Sequence, residues 1–159
     1  MNAISRPDMR DAYGLPADDI NYAKKLDGDL KKLKVGFILR FGDHPIDIEV
    51  AAHVTKAAKQ FSALGCKVEE AQMPFPHADA SRAFVVHWLS ALQRLLQLFP
   101  ESRHGEFDPN LLASAKAGLR YSLQDVVNAQ VTRRDLAIAW SRFFAKYDLL
   151  LTPTIAVQP

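Results

Sequence analysis

The 159-residue chain is poor in several residue types on which familiar functional motifs depend. Its single cysteine, Cys66, excludes an internal disulfide and any metal site built from several cysteines. Its seven glycines are scattered, so no glycine-rich loop can present consecutive backbone amides to a phosphate or an oxyanion. No apolar run approaches the roughly 20 residues that a membrane-spanning helix needs. The sequence therefore excludes a disulfide scaffold and a P-loop enzyme, and it predicts no spanning helix.

An excess of charge of either sign is also lacking. The formal net charge is +2, with 20 basic and 18 acidic residues. This balance gives no electrostatic reason to expect a nucleic acid or a membrane surface as a partner. The first residues lack the apolar segment of a signal peptide, so we expect a cytoplasmic protein.

Recognisable catalytic and metal-binding motifs are missing as well. The histidines do not pair at metal-ligand spacing in the sequence, so we expect surface or packing roles for them, with His87 as a hydrogen-bonded core histidine beside Trp88. Four serines have no adjacent base that the sequence identifies, namely Ser62, Ser81, Ser90 and Ser114. Cys66 is expected to be a small buried residue at a strand start, with a reactive thiol as the alternative. The sequence predicts no catalytic residue, no metal and no cofactor.

The apolar pattern predicts an α/β fold with a short, mostly parallel sheet packed by about four helices. Strands are expected near residues 34–40, 67–72 and 148–152. The strand–helix–strand order over the first two is typical of a right-handed parallel crossover. Residues 1–33 hold only spaced apolar anchors between prolines and glycines, which indicates an extended N-terminal arm before an α/β domain at 34–159.

Four helices are predicted from caps and periodicity. Asp47 is expected to cap a helix that runs to about Leu64, where Gly65 ends it. Asp108-Pro109 opens another helix, and Ser122 with Asp125 resembles a capping box that opens a long one. A helix is also expected over roughly 80–99. Its apolar stripe consists of Phe84, Trp88, Leu92, Leu95 and Phe99.

The long helix over about 122–146 carries an apolar stripe that includes one arginine, Arg133. The stripe consists of Val126, Ala129, Leu136, Ala137, Trp140, Phe143 and Phe144. One interpretation is a helix-edge arginine with its stem on apolar surface and its charge in water. The other is an arginine buried against a carboxylate, from a segment outside this chain.

The segment after this helix is the strongest candidate for a functional site. Leu149 to Leu151 form a short apolar run, with Leu150 expected in a central strand, and Thr152-Pro153-Thr154 ends it. In open α/β sheets ligands bind beyond the carboxyl ends of the strands, so these three residues are candidates for the wall of a substrate pocket. An ordinary turn without function is the alternative.

An ordered series of short motifs runs through almost the whole chain. The motifs are Arg6-Pro-Asp8, Arg10-Asp11, Leu33-Lys-Val-Gly36, Asp47-x-Glu49-Val50, Leu64-Gly65-x-x-Val68-Glu-Glu70 and Phe143-x-x-x-Tyr147-Asp148-Leu-Leu-Leu-Thr-Pro-Thr154. In this order they resemble the amidase signature family, in the part that follows its serine- and glycine-rich signature region. The resemblance implies a large mixed sheet wrapped by helices and the cleavage of carboxamides, or the transfer of ammonia derived from glutamine.

The resemblance also implies a catalytic trio of one lysine and two serines, which this sequence does not match. It has no Gly-Gly-Ser-Ser-Gly-type stretch, so we expect the trio to precede residue 1, and we expect such enzymes to continue beyond Gln158. The first hypothesis is therefore an inactive C-terminal fragment of an amidohydrolase, which pairs with the missing catalytic segment or self-associates. The second is a stand-alone α/β module that binds a partner or a small ligand.

Overall fold

The computed structural model describes residues 6–14, 16, 20–24 and 26–158. Within these ranges the elements are β1 (Lys34–Phe37), α1 (Ile48–Ala63), β2 (Lys67–Glu70), α2 (His77–Leu96), α3 (Pro109–Gly118), α4 (Leu123–Phe144) and β3 (Leu149–Leu151). Short 3₁₀ turns lie at Tyr22–Lys24, Leu30–Lys32 and Glu101–Glu106. The predicted α/β fold with three short strands and four main helices is confirmed.

The three strands form one parallel sheet in the order β2-β1-β3. Val35 of β1 lies opposite Val68 on one side and Leu149 on the other. The backbone of Asp148 donates to the carbonyl of Lys34 at 2.9 Å, and the amide of Lys34 donates to the Asp148 carboxylate at 2.8 Å. These bonds fix the register of β3, because they close the ladder at its amino end.

β1 is the central strand of the described sheet, so the expectation that Leu150 lies in a central strand is wrong. Leu150 belongs to an edge strand and is half-buried, packed against the cluster of Ile38, Phe143 and Tyr147. The error arises because an apolar run indicates that a strand is buried but does not show whether it has one neighbouring strand or two.

The packing of α4 against the sheet depends on the absence of a side chain at Gly36. A Cβ placed on Gly36 would lie 2.6 Å from Phe143 Cζ and 3.1 Å from Tyr147 Cγ. The two aromatic rings pack on each other with centroids 4.7 Å apart. The end of α4 and the segment leading into β3 therefore lie directly on the central strand.

Three of the four helices begin as the sequence predicts. The Asp47 carboxylate accepts from the backbone amides of Glu49 and Val50 and caps α1, and Gly65 follows that helix at φ +96°. Asp108 caps α3, and Ser122 and Asp125 form the capping box of α4. These caps satisfy amides that a helix start leaves without partners.

α2 differs from its prediction in position and in orientation. It begins three residues earlier than expected, at His77 after Pro76, and ends at Leu96. Its buried residues are Ala83, Val86 and Leu96, and the first two pack with Ala129 of α4. Most of the predicted apolar stripe points outward. The exposed fractions are 62% for Phe84, 53% for Trp88 and 39% for Leu95.

An ion-pair network connects β2 to the end of α4. Lys67 and Lys146 lie 2.8 and 3.3 Å from the carboxylate of Glu69, and the Tyr147 hydroxyl donates to the same group at 3.3 Å. Hydrogen bonds from Lys67, and secondarily from Lys146, lower the pKa of Glu69 to about 2. This network stabilises the sheet from the edge opposite β3.

The N-terminal part of the chain is described only in pieces. The arm predicted for residues 1–33 includes residues 1–5, 15, 17–19 and 25, which lie outside the described ranges. In the described part, Arg10 pairs with Asp8 at 2.6 Å. Among the described residues, none of the helices has the length and apolar character to cross a membrane.

Candidate functional site

The candidate site is a cleft at the carboxyl end of the sheet, where loops leave β1 and β3. The amide of Ile38 donates to the carbonyl of Leu151 at 3.0 Å, so the two chains leave the sheet side by side. They meet again farther out, where the amide of Asp47 donates to the carbonyl of Ala156 at 2.8 Å. The cleft lies between these two contacts, in the position that parallel sheets commonly use for ligands.

The cleft has a volume of about 400 Å³ and a mostly apolar lining. One wall is the loop after β1, with Leu39, Phe41 and Ile46, and the other is the chain after β3, with Pro153 and Ile155. Arg40, His44 and His77 add polar groups to the lining. A mostly apolar pocket with a few polar groups is the usual form of a small-molecule site.

The three residues predicted for a pocket wall occupy different positions. Pro153 and Thr154 line the cleft. Thr152 is half-buried and does not line it, and its hydroxyl oxygen is buried with no hydrogen-bond partner in the described part of the chain. A buried hydroxyl without a partner is energetically costly, and this one lies on the first residue after β3.

The sequence did not predict that two histidines meet beside this cleft. His44 Nε2 and His77 Nδ1 lie 3.1 Å apart, so one imidazole donates a hydrogen bond to the other. His44 lies in the loop after β1, and His77 is the first residue of α2, 33 positions later. The hydrogen-bonded pair is a packing role of the kind that the sequence predicts for the histidines, although their spacing does not indicate which two meet.

The histidine pair separates this cleft from a second, more open one of about 860 Å³. His44 and His77 line both, and the second cleft also includes Ser81, Arg82 and Tyr121. No hydrogen bond connects the Ser81 hydroxyl to His77 within the described residues, so this serine lacks the activating base that a nucleophile needs. The two clefts provide binding surface, and the described residues provide no activated serine or cysteine.

The other predicted residues lie away from the cleft. Cys66 is 6% exposed at the start of β2, which confirms the expectation of a buried residue. His87 is not the hydrogen-bonded core histidine that was expected, because its Nε2 is buried without a partner in the described structure. Arg133 is exposed, which agrees with a helix-edge arginine. Within the described residues no group of three or more histidine, cysteine or acidic side chains is placed to hold a metal ion.

Comparison with known proteins gives consistent results. A family model described as Amidase matches residues 1–159. The chain is 27% identical over 157 residues to an acylamidase from Rhodococcus erythropolis, a match that covers 98% of this chain and 33% of that protein. It is 31% identical over 105 residues to a glutamyl-tRNA(Gln) amidotransferase polypeptide of Streptococcus pyogenes serotype M12, a match that covers 66% of this chain and 21% of that polypeptide.

A solved structure shares the fold. The crystal structure of a bacterial aryl acylamidase of the amidase signature family superposes with a TM-score of 0.76 and 26% sequence identity. The match covers 96% of this chain and 33% of that one. The chain thus spans about a third of the length of the acylamidases it matches. With the family model matching over its whole length, this chain belongs to the amidase family.

Proposed function

We propose that this chain is the C-terminal, non-catalytic part of an amidase-signature enzyme that cleaves carboxamide C–N bonds. The observation that supports this most is the match of the family model to all residues, together with a match to only a third of the acylamidases. In this proposal the remaining polypeptide carries the lysine and the two serines. Residues 1–33 form an arm and 34–159 the α/β unit.

The proposed role of the cleft is to hold the substrate against that catalytic segment. Its apolar lining suits the acyl or aryl group of an amide, and Pro153 and Thr154 form part of its wall. Arg40, His44 and His77 are the polar groups of this lining that a substrate amide could approach. Binding of this kind lowers the activation barrier of amide cleavage only if the amide carbonyl is held in line with the serine nucleophile.

The chemistry itself then comes from outside these residues. The resemblance implies that the lysine acts as a base through the bridging serine, and that the second serine attacks the amide carbonyl. Backbone amides of the glycine-rich stretch stabilise the oxyanion. We also propose a cytoplasmic location, which fractionation of the cells would test.

Two assays test the proposal. The purified chain should release no ammonia or amine from simple amides and anilides, and turnover above that of a heat-denatured sample would contradict the inactive-fragment part. When the tagged chain is isolated from its own cells, the catalytic segment should copurify with it, as part of the same polypeptide or as a second one. The preparation should have amidase activity. A Thr154→Trp substitution, which fills the cleft, should lower kcat/KM of that preparation. A Glu101→Ala substitution on a distant turn serves as the control.

The second hypothesis, a stand-alone binding module, rests on the same clefts. It predicts that the chain isolated from its cells carries neither a catalytic segment nor amidase activity.

A further inference from the structure

Two helices of this chain are apolar on two opposite faces. In α2, Val86 is buried and Leu95 is exposed, nine positions later. In α4, Ala129 is buried and Ile138 is exposed, again nine positions later. Nine residues are about two and a half turns at 3.6 residues per turn, so the exposed residues lie opposite the buried ones. A helix that is apolar on both sides is typical of the interior of a larger body.

The outer face of α2 is the more extensive of the two exposed surfaces. Phe84 and Trp88 stack on this face, with ring centroids 5.9 Å apart and planes 14° from parallel. Both rings are more than half exposed, and Leu95 continues the row toward the end of the helix. Aromatic side chains of this size rarely stay exposed together unless a partner covers them.

A small cleft of about 290 Å³ borders this face at the seam between α2 and α4. Phe84, His87, Arg133 and Leu136 are among its lining residues. His87 Nε2 is buried without a hydrogen-bond partner within the described residues, and no ion pair of Arg133 occurs there either. The neighbouring Arg134, by contrast, pairs with Asp135 at 2.8 Å.

The polar groups of the cleft are complementary to one kind of side chain. A guanidinium group only donates hydrogen bonds. A carboxylate accepts from it and neutralises its charge. The surface therefore suits a protein segment that covers the aromatic pair and inserts an aspartate or glutamate beside Arg133.

We propose that the outer face of α2 and the adjoining α2–α4 cleft form the docking surface for the catalytic segment of the amidase. This rests on the proposed function, because the segment is the two-thirds of the acylamidases that this chain does not match. The segment covers Phe84 and Trp88 and places a carboxylate against Arg133. It is either part of the same polypeptide or a separate one.

Site-specific photo-crosslinking in the cells that contain the protein tests this assignment. A benzophenone amino acid replaces Trp88 in tagged chain, and the same group replaces the exposed Lys59 on α1 as the control. After irradiation and purification under denaturing conditions, mass spectrometry identifies the cross-linked peptides. The expected result is cross-links from position 88 to a stretch of the polypeptide that carries the serine- and glycine-rich amidase signature, with few from position 59.

Charge reversal provides a second measurement. Arg133→Glu should lower the cross-linking yield at position 88 by more than about tenfold, because two carboxylates would then face each other. Arg134→Glu, one position away, should change it little. Circular dichroism confirms that both variants are folded before the yields are compared.

The possible outcomes distinguish the two proposals. Cross-links to the catalytic segment from position 59 but not from position 88 would overturn the docking surface and leave the proposed function in place. The absence of any amidase-signature polypeptide, both among the cross-links and in the purified sample, would overturn both. Cross-links from position 88 only to a second copy of this chain would show that the surface serves self-association instead.

Discussion

Replacing Gly36 with alanine tests the packing of α4 on the central strand. The added Cβ would lie 2.6 Å from Phe143 Cζ, about 1 Å closer than the optimum of roughly 3.5–4.0 Å between carbon atoms. The atoms of Tyr147 at 3.1 and 3.2 Å leave little room for the Phe143 ring to move toward that side. Overpacking of a core contact costs about 1–3 kcal/mol of the free energy of unfolding.

This cost predicts a measurable change in the melting temperature of the Gly36→Ala variant. For a chain of this length about 1 kcal/mol corresponds to about 2–4 °C, so we expect the midpoint to fall by about 2–12 °C. The matched control is Gly105→Ala, because a Cβ at Gly105 meets nothing within 4 Å. Thermal unfolding of both variants, followed by circular dichroism, gives the difference.

A double-mutant cycle with Phe143→Leu separates steric conflict from other effects. The smaller leucine removes the ring atom that the new Cβ would meet, so Gly36→Ala should cost less in the Phe143→Leu background than in the wild type. An unchanged melting temperature for Gly36→Ala, or full additivity in the cycle, would refute the contact between β1 and α4.

Three further predictions follow from other contacts. Leu150→Asp should lower the free energy of unfolding by several kcal/mol in chemical denaturation, because it puts a charge against the cluster of Ile38, Phe143 and Tyr147. Leu149→Asp, on the more exposed face of β3, should cost less. Equal costs for the two variants would contradict the assigned faces. Because the pKa of Glu69 is depressed, the stabilisation that its charged carboxylate gives to the folded protein is complete above about pH 4.5 and is lost as the pH falls toward 2. In a plot of the free energy of unfolding against pH, Glu69→Gln should therefore make the decrease below pH 4.5 less steep, and Glu70→Gln should not. An equally steep decrease in Glu69→Gln would refute this. Asp47→Ala removes the cap of α1 and should cost about 1 kcal/mol, measured by urea unfolding; no change would show that the cap is dispensable.

The elements of the fold were largely predictable because their signals are local. A capping aspartate, a proline in the first turn or a glycine after a helix acts within a few residues, and Asp47, Asp108 and Gly65 act as expected. The pairing of β1 with β3 has no local signal of this kind, since 114 positions separate Lys34 from Asp148.

The candidate site was predictable in place but not in detail. The Thr-Pro-Thr exit pointed to the carboxyl end of the sheet, and Pro153 and Thr154 line the cleft there. Their role as a substrate-pocket wall stays a prediction. The His44–His77 contact was not predictable, because it depends on how the loop after β1 folds against the start of α2. The outward orientation of Phe84 and Trp88 was also not predictable, because periodicity shows which residues share a face but not which neighbour covers it.

In the proposed function, the reactive serine of the enzyme lies outside residues 1–159. The most direct measurement is labelling with a fluorophosphonate, which reacts with activated serines, on tagged protein isolated from its own cells, followed by peptide mapping. We expect a labelled serine in a serine- and glycine-rich stretch that copurifies with this chain, and no label within residues 1–159. A labelled serine within these residues, or no label in a preparation that cleaves amides, would contradict the claim.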